Sequence, residues 1–174
     1  MTYETKFIAP GEVTLADGTL IEGYASLFNR TDRGGDIVRQ GAFAQSLALL
    51  KAQGRTVKML WQHDPGQPIG VWEEIVEDSR GLKVRGRILD DVGKGRDAAA
   101  LVAGGAIDGL SIGYRTKKAT KDRQGRRILQ ELELWEVSLV TFPMLPDARV
   151  GRKRDPLRDL AAAIRVARLH LTGG

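Results

Sequence analysis

Few residues in this chain can do chemistry. Its 174 residues contain no cysteine and two histidines, His63 and His170. Disulfides and thiolate metal sites are therefore excluded, and a histidine zinc site lacks ligands. No metal and no cofactor is expected. What remains is a hydroxyl activated by a base. A serine hydroxyl is a poor nucleophile until a neighbour takes its proton, and histidine, titrating near neutrality, is the usual base. His63, in Leu60-Trp61-Gln62-His63-Asp64, is the histidine that lies in the body of the chain. Ser111 sits in Gly109-Leu110-Ser111-Ile112-Gly113, which spells the G-x-S-x-G pattern. In α/β-hydrolases that serine occupies a strand-to-helix elbow and the histidine comes late. Here the serine follows a glycine-rich helix end and precedes the strand-like Tyr114-Arg115-Thr116, and the later histidine, His170, lies in a basic tail. The elbow reading fails on this context.

A histidine base works best when a third group fixes its tautomer and stabilises the imidazolium. Strand parity nominates one. In Glu131-Leu132-Glu133-Leu134-Trp135-Glu136, the two-residue period puts Glu131 and Glu133 on one face and Glu136 on the face of Leu132 and Leu134. An acid on an apolar face costs free energy unless it is paired, which makes Glu136 the candidate partner of His63. Asp64 and Asp108 are next in line, but each adjoins a candidate residue or a turn and suits local backbone capping.

The elements that must position these residues read as strand-rich. The 21 glycines are about 12% of the chain, against roughly 7% in average proteins, so tight turns are frequent. Phe7 to Leu15 and Leu20 to Phe28 read as strands around the turn Asp17-Gly18, followed by a polar loop from Asn29 to Gly35. Phe43, Leu47 and Leu50 recur at helical spacing between Gly41 and Gly54. Thr56 to His63 reads as a strand whose Val57, Met59, Trp61 and His63 share one face. Val71 to Val76 and Leu82 to Leu89 form a hairpin, and Lys94 to Ala103 a helix capped by glycine. Leu110 to Lys117 and Arg127 to Phe142 pair across a charged turn at Asp122 to Gly125. Asp155-Pro156 opens an amphipathic helix with Leu157, Leu160, Ile164 and Leu171 on one stripe. The expected fold class is β-rich α+β, with residues 1–150 as one domain and 151–174 as a basic C-terminal helix or tail, hinged near Gly151 to Asp155.

Charge follows the same division. From Arg149 onward seven Arg and Lys face Asp155 and Asp159, which accounts for the whole formal charge of +5 and leaves residues 1–148 balanced. A neutral body argues against a broad phosphate-tracking surface, so nucleic acid is not an expected partner. No apolar run approaches the roughly 18 residues a membrane span needs, and the N-terminus lacks an apolar leader core, so no membrane partner is expected.

In their order along the chain, several short blocks resemble one family. They are Gly23-Tyr-Ala-Ser-Leu-Phe28, Gly35-Asp36-Ile37-Val38, Gly41-Ala42-Phe43, Leu60-Trp61-Gln62-His63-Asp64, Pro68-Ile69-Gly70, Gly81-Leu82, Gly109-Leu110-Ser111-Ile112-Gly113-Tyr114 and Glu136-Val137-Ser138-Leu139-Val140. From about Gly23 to Ala148 the chain is similar to the HK97-type phage prohead, or capsid maturation, serine proteases. That resemblance implies an assemblin-like β-barrel core flanked by helices. Its Trp-Gln-His-Asp block falls on His63 and its Leu-Ser-Ile-Gly block on Ser111. The assemblins carry a second histidine in the strand that resembles Trp135 to Val140; no histidine lies there, and Glu136 is the acid available. The implied activity is cleavage of the capsid scaffold, or of the N-terminal scaffold segment of the major capsid protein precursor, together with self-cleavage. The implied location is the bacterial cytoplasm, inside the assembling procapsid, with the enzyme latent before assembly. A homodimer is compatible with the resemblance.

Other readings stand beside this one. In them Ser111 is a small residue for tight packing, Glu136 an ordinary ion-pair partner of an arginine, and Trp61 and Trp135 packing residues. A non-catalytic, scaffold-associated assembly protein is the alternative function, with the basic tail as its contact surface. Oxyanion donors are expected from backbone N–H groups in the loop Phe142 to Ala148.

Overall fold

The computed structural model describes residues 4–8, 14–16, 19–32 and 34–142. Along them run β1 (Glu4–Ile8), β2 (Thr14–Ala16), β3 (Leu20–Leu27), β4 (Asp36–Val38), α1 (Ala44–Ala52), β5 (Lys58–Trp61), β6 (Asp64–Glu77), β7 (Gly81–Ile88), α2 (Gly93–Ala103), β8 (Gly109–Lys121) and β9 (Arg127–Val140). The strands hydrogen-bond in the order β1-β8-β9-β5-β6-β7-β3-β2, with β4 paired to β9 off that path. The sheet curls so that β3 approaches β8, while no ladder among the described residues joins β1 to β2 or β3. The result is a curled half-barrel. Helix α1 packs on β9 and β6, and α2 on β6 and β7.

Strand alternation explains most of the core. In β7 the exposure pattern puts Leu82, Val84 and Ile88 inward and Arg85 and Arg87 outward, the period expected of a strand with one buried face. Ile21, Met59, Ile69, Leu110, Ile112, Leu132 and Leu134 join them in one contiguous cluster. Phe43, just before α1, is fully buried, and Leu47 and Leu50 pack partly against the same core.

Strand β9 organises the fold because both of its edges are satisfied along its length. On one side it pairs with β8 from end to end. On the other, β4 pairs with residues 127–129 and β5 with residues 136–139. Between them Ala42 O accepts from Leu132 N at 2.8 Å and Ser46 Oγ accepts from Leu134 N at 2.9 Å. These contacts give N–H donors of the buried strand their partners between the two short strands.

The helices, the β6–β7 hairpin and the β8–β9 pair fall where the sequence pattern puts them, with small shifts at their ends. Four things differ. The stretch from Phe7 to Leu15 is divided between β1 and β2, β4 is an additional short strand, β5 runs from Lys58 to Trp61 rather than Thr56 to His63, and β6 starts at Asp64 rather than Val71. The C-terminal helix, the hinge at Gly151 to Asp155, His170 and the loop beyond Phe142 lie outside the described residues.

Candidate active site

His63 does not continue the apolar face of β5. Val57, Met59 and Leu60 are buried and Trp61 packs partly against the core, but the strand ends at Trp61, which pairs with Asp64. Between them Gln62 and His63 have φ of 51° and 63°. Two consecutive left-handed residues closing a two-residue hairpin are the hallmark of a type I′ turn. Neither is glycine, so each carries about 1–2 kcal/mol of backbone cost. Anchors to the end of β9 hold the turn. Gln62 N donates to Leu139 O at 2.9 Å, Gln62 Nε2 donates to Thr141 Oγ1 at 2.6 Å, and His63 N donates to Ser138 Oγ at 3.2 Å. The parity expectation for His63 therefore fails, because the turn re-aims the side chain.

Glu136 also leaves the face that parity gave it. Leu134 lies opposite Tyr114 and Glu136 opposite Gly113, so Trp135 is an extra residue in β9, a β-bulge. Gly113 and Tyr114 are chain neighbours and point to opposite faces, and so do Glu136 and Leu134. Past the bulge the core face passes to Val137 and Leu139, opposite Ile112 and Leu110. Glu136 and Ser138 take the other face, opposite Gly113 and Ser111.

These two irregularities bring the groups together. Glu136 Oε1 lies 2.5 Å from His63 Nδ1, with the two side chains 11% and 14% exposed. Ser138 Oγ donates to Glu136 Oε2 at 2.5 Å and at the same time accepts from His63 N. Gly113 leaves the space: a Cβ there would collide with Glu136 Oε1, Cδ and Cγ. Ser111 is fully buried on the same face and faces Ser138 directly across the ladder, where opposed Cβ atoms are about 4.5–5.5 Å apart.

The arrangement has a definite chemical capacity. A carboxylate on Nδ1 fixes the tautomer with Nδ1–H, which leaves Nε2 as the ring nitrogen able to take a proton. The same carboxylate stabilises the imidazolium once that proton arrives. Asp64 is engaged elsewhere: Oδ1 accepts from Gly66 N at 2.8 Å and Oδ2 from Gln67 Nε2 at 2.6 Å, the local capping its position suggested. Asp108 precedes β8 at its first residue. Ser138 is the residue sequence reasoning passed over. Its signal was a lone hydroxyl in the buried run Val137-Ser138-Leu139-Val140, two residues from Glu136.

Comparison with known proteins places the chain in a family and a fold. A family model described as caudovirus prohead serine protease matches residues 9–160. The prohead protease of Enterobacteria phage HK97 is 36% identical over 151 residues, covering 85% of this chain and 64% of that protein. The prohead protease of Escherichia phage T5 is 30% identical over 131 residues, covering 74% of this chain and 60% of that protein. The chain thus spans less than two thirds of either relative. A solved structure of the bacteriophage T4 capsid assembly protease has a similar fold, with a TM-score of 0.65 at 19% identity over 80% of this chain and 97% of that one.

Proposed function

Because the chain belongs to the caudovirus prohead serine protease family, we propose that it is a serine endopeptidase of prohead maturation, with Ser111 as nucleophile, His63 as general base and Glu136 as the acid that orients His63. Its substrate is the capsid scaffold, or the N-terminal scaffold segment of the major capsid protein precursor, and its own chain. It acts inside the procapsid within the bacterial host. The half-barrel is the core of an assemblin-like barrel, residues 1–150 form the protease domain, and the basic segment 151–174 contacts scaffold or capsid.

One observation carries the reading: the Glu136 carboxylate on His63 Nδ1, set on the sheet face that bears Ser111. In the proposed reaction His63 Nε2 takes the Ser111 proton as Oγ attacks the scissile carbonyl. The imidazolium, stabilised by Glu136, then returns the proton to the leaving amine. Water attacks the acyl-enzyme by the same relay, releasing the acid and restoring Ser111. Ser111 exposes none of its surface, so a peptide reaches it only after neighbouring chain moves, which suits an enzyme latent until assembly.

Co-expression with the cognate capsid precursor, followed by mass spectrometry of precursor length, tests the proposal. Trimming that disappears in Ser111→Ala supports it. Trimming unchanged by that substitution refutes the nucleophile, and no trimming by either form favours a non-catalytic assembly protein.

A further inference from the structure

We propose that Ser138 is a positioning residue that locks the His63–Glu136 pair, an inference that rests on the serine-protease reading above. A hydroxyl in a fully buried apolar run costs desolvation unless it is bonded, and Ser138 exposes no surface. Its single oxygen serves both members of the pair. It donates to Glu136 Oε2, which leaves Oε1 to face His63 Nδ1, and it accepts from the His63 backbone N–H. The first bond fixes the rotation of the carboxylate, and the second fixes the turn that carries the imidazole.

The turn needs such a tie. Gln62 and His63 both hold left-handed backbone without being glycine, and strained conformations of this kind persist only where surrounding bonds over-determine them. The Gln62 bonds to Leu139 and Thr141 fix the first turn residue, while Ser138 Oγ is the tie to the His63 backbone itself. Ser138 also stands directly opposite Ser111 in the β8–β9 ladder. The register of the nucleophile against the base is thus set through the same residue. In the proposed reaction Ser138 acts through Glu136 and His63.

The test compares Ser138→Ala and Ser138→Cys with the parent and with Ser111→Ala. The readouts are kcat and KM on the precursor peptide whose cleavage mass spectrometry locates, thermal unfolding, and the downfield proton resonance of the His63 Nδ1–H in the intact chain. Loss of one bond to a charged group should lower kcat about tenfold to a hundredfold, with KM little changed. The resonance should broaden or move upfield, a response that a packing role would not produce. A folded Ser138→Ala protein with parental kcat and an unmoved resonance would overturn the inference. Should the alanine form not fold, Ser138→Cys keeps the volume with a much weaker donor, and parental kcat there is equally fatal. The two claims fail separately. Cleavage surviving in Ser111→Ala removes the protease reading and this inference with it, whereas cleavage lost in Ser111→Ala but unaffected at Ser138 removes this inference alone.

Discussion

Glu136 Oε1 and His63 Nδ1 meet at 2.5 Å across 73 positions of sequence, and each arrives there through a break in regular strand geometry. A left-handed turn delivers the histidine and a one-residue bulge at Trp135 delivers the acid. Bulges recur beside active sites because they re-aim a side chain without dismantling the sheet.

Glu136→Gln should lower cleavage by about three to four orders of magnitude, the scale seen when the orienting acid of a serine triad becomes an amide. Glutamine keeps the volume but offers one acceptor and one donor to two groups that both donate, the Ser138 hydroxyl and the His63 Nδ1–H. Turnover should fall far more than the unfolding midpoint. Cleavage rates measured beside thermal melts decide it, and an intact rate would remove Glu136 from the proposed relay.

Gly113→Ala should destabilise the chain by about 1–3 kcal/mol, the ordinary range for overpacking a core, because its Cβ would press on the Glu136 carboxylate. Denaturant titrations of Gly113→Ala, Glu136→Ala and the double form check the cause. The alanine at 113 should cost much less once Glu136 is truncated, since residues in contact are not additive. Strict additivity would mean that Gly113 is there for another reason.

Much of this was legible in the sequence. The β8–β9 pair, the β6–β7 hairpin and both helices follow from alternation, helical spacing and glycine punctuation, and all three proposed site residues were named. Parity gives Glu136 the face of Leu132 and Leu134 only in a regular strand; the bulge at Trp135 moves it to the other face, and with every residue from Glu136 to Val140 buried no exposed position flags the slip. The turn at Gln62-His63 is not legible because neither residue is a glycine or asparagine, the usual sign of left-handed backbone. Its stability comes from contacts with Ser138, Leu139 and Thr141, far along the chain. Strand β4 is not legible because three residues carry too little pattern to read, and its pairing with β9 is non-local.

Away from the site, Tyr24 and Asp78 make a pH-dependent contact between β3 and the β6–β7 turn. Tyr24 Oη donates to Asp78 Oδ2 at 2.5 Å, and Asp78 Oδ1 accepts from Arg80 N and Gly81 N. The Tyr24 hydrogen bond, with the turn N–H groups, holds the Asp78 carboxyl below its ordinary range, while the same bond and burial push the Tyr24 phenol up. A depressed acid stabilises the fold above its ordinary value of 3.8 and loses that contribution as pH falls through the folded value. A raised phenol stabilises the fold below 10.0 and loses it as pH rises through the folded value. Tyr24→Phe should therefore cost about 1 kcal/mol near neutrality. The difference from the parent should shrink at both extremes. Urea titrations across the pH range show this, and a constant difference would contradict it.

Whether His63 activates Ser111 is decided by adding an activated aryl phosphonate to the protease co-assembled with its capsid precursor and mapping adducts by peptide mass spectrometry. One covalent adduct on Ser111 is expected in the parent chain and none in His63→Ala. Equal labelling of Ser111 without His63, or an adduct confined to a different serine, would refute that activation.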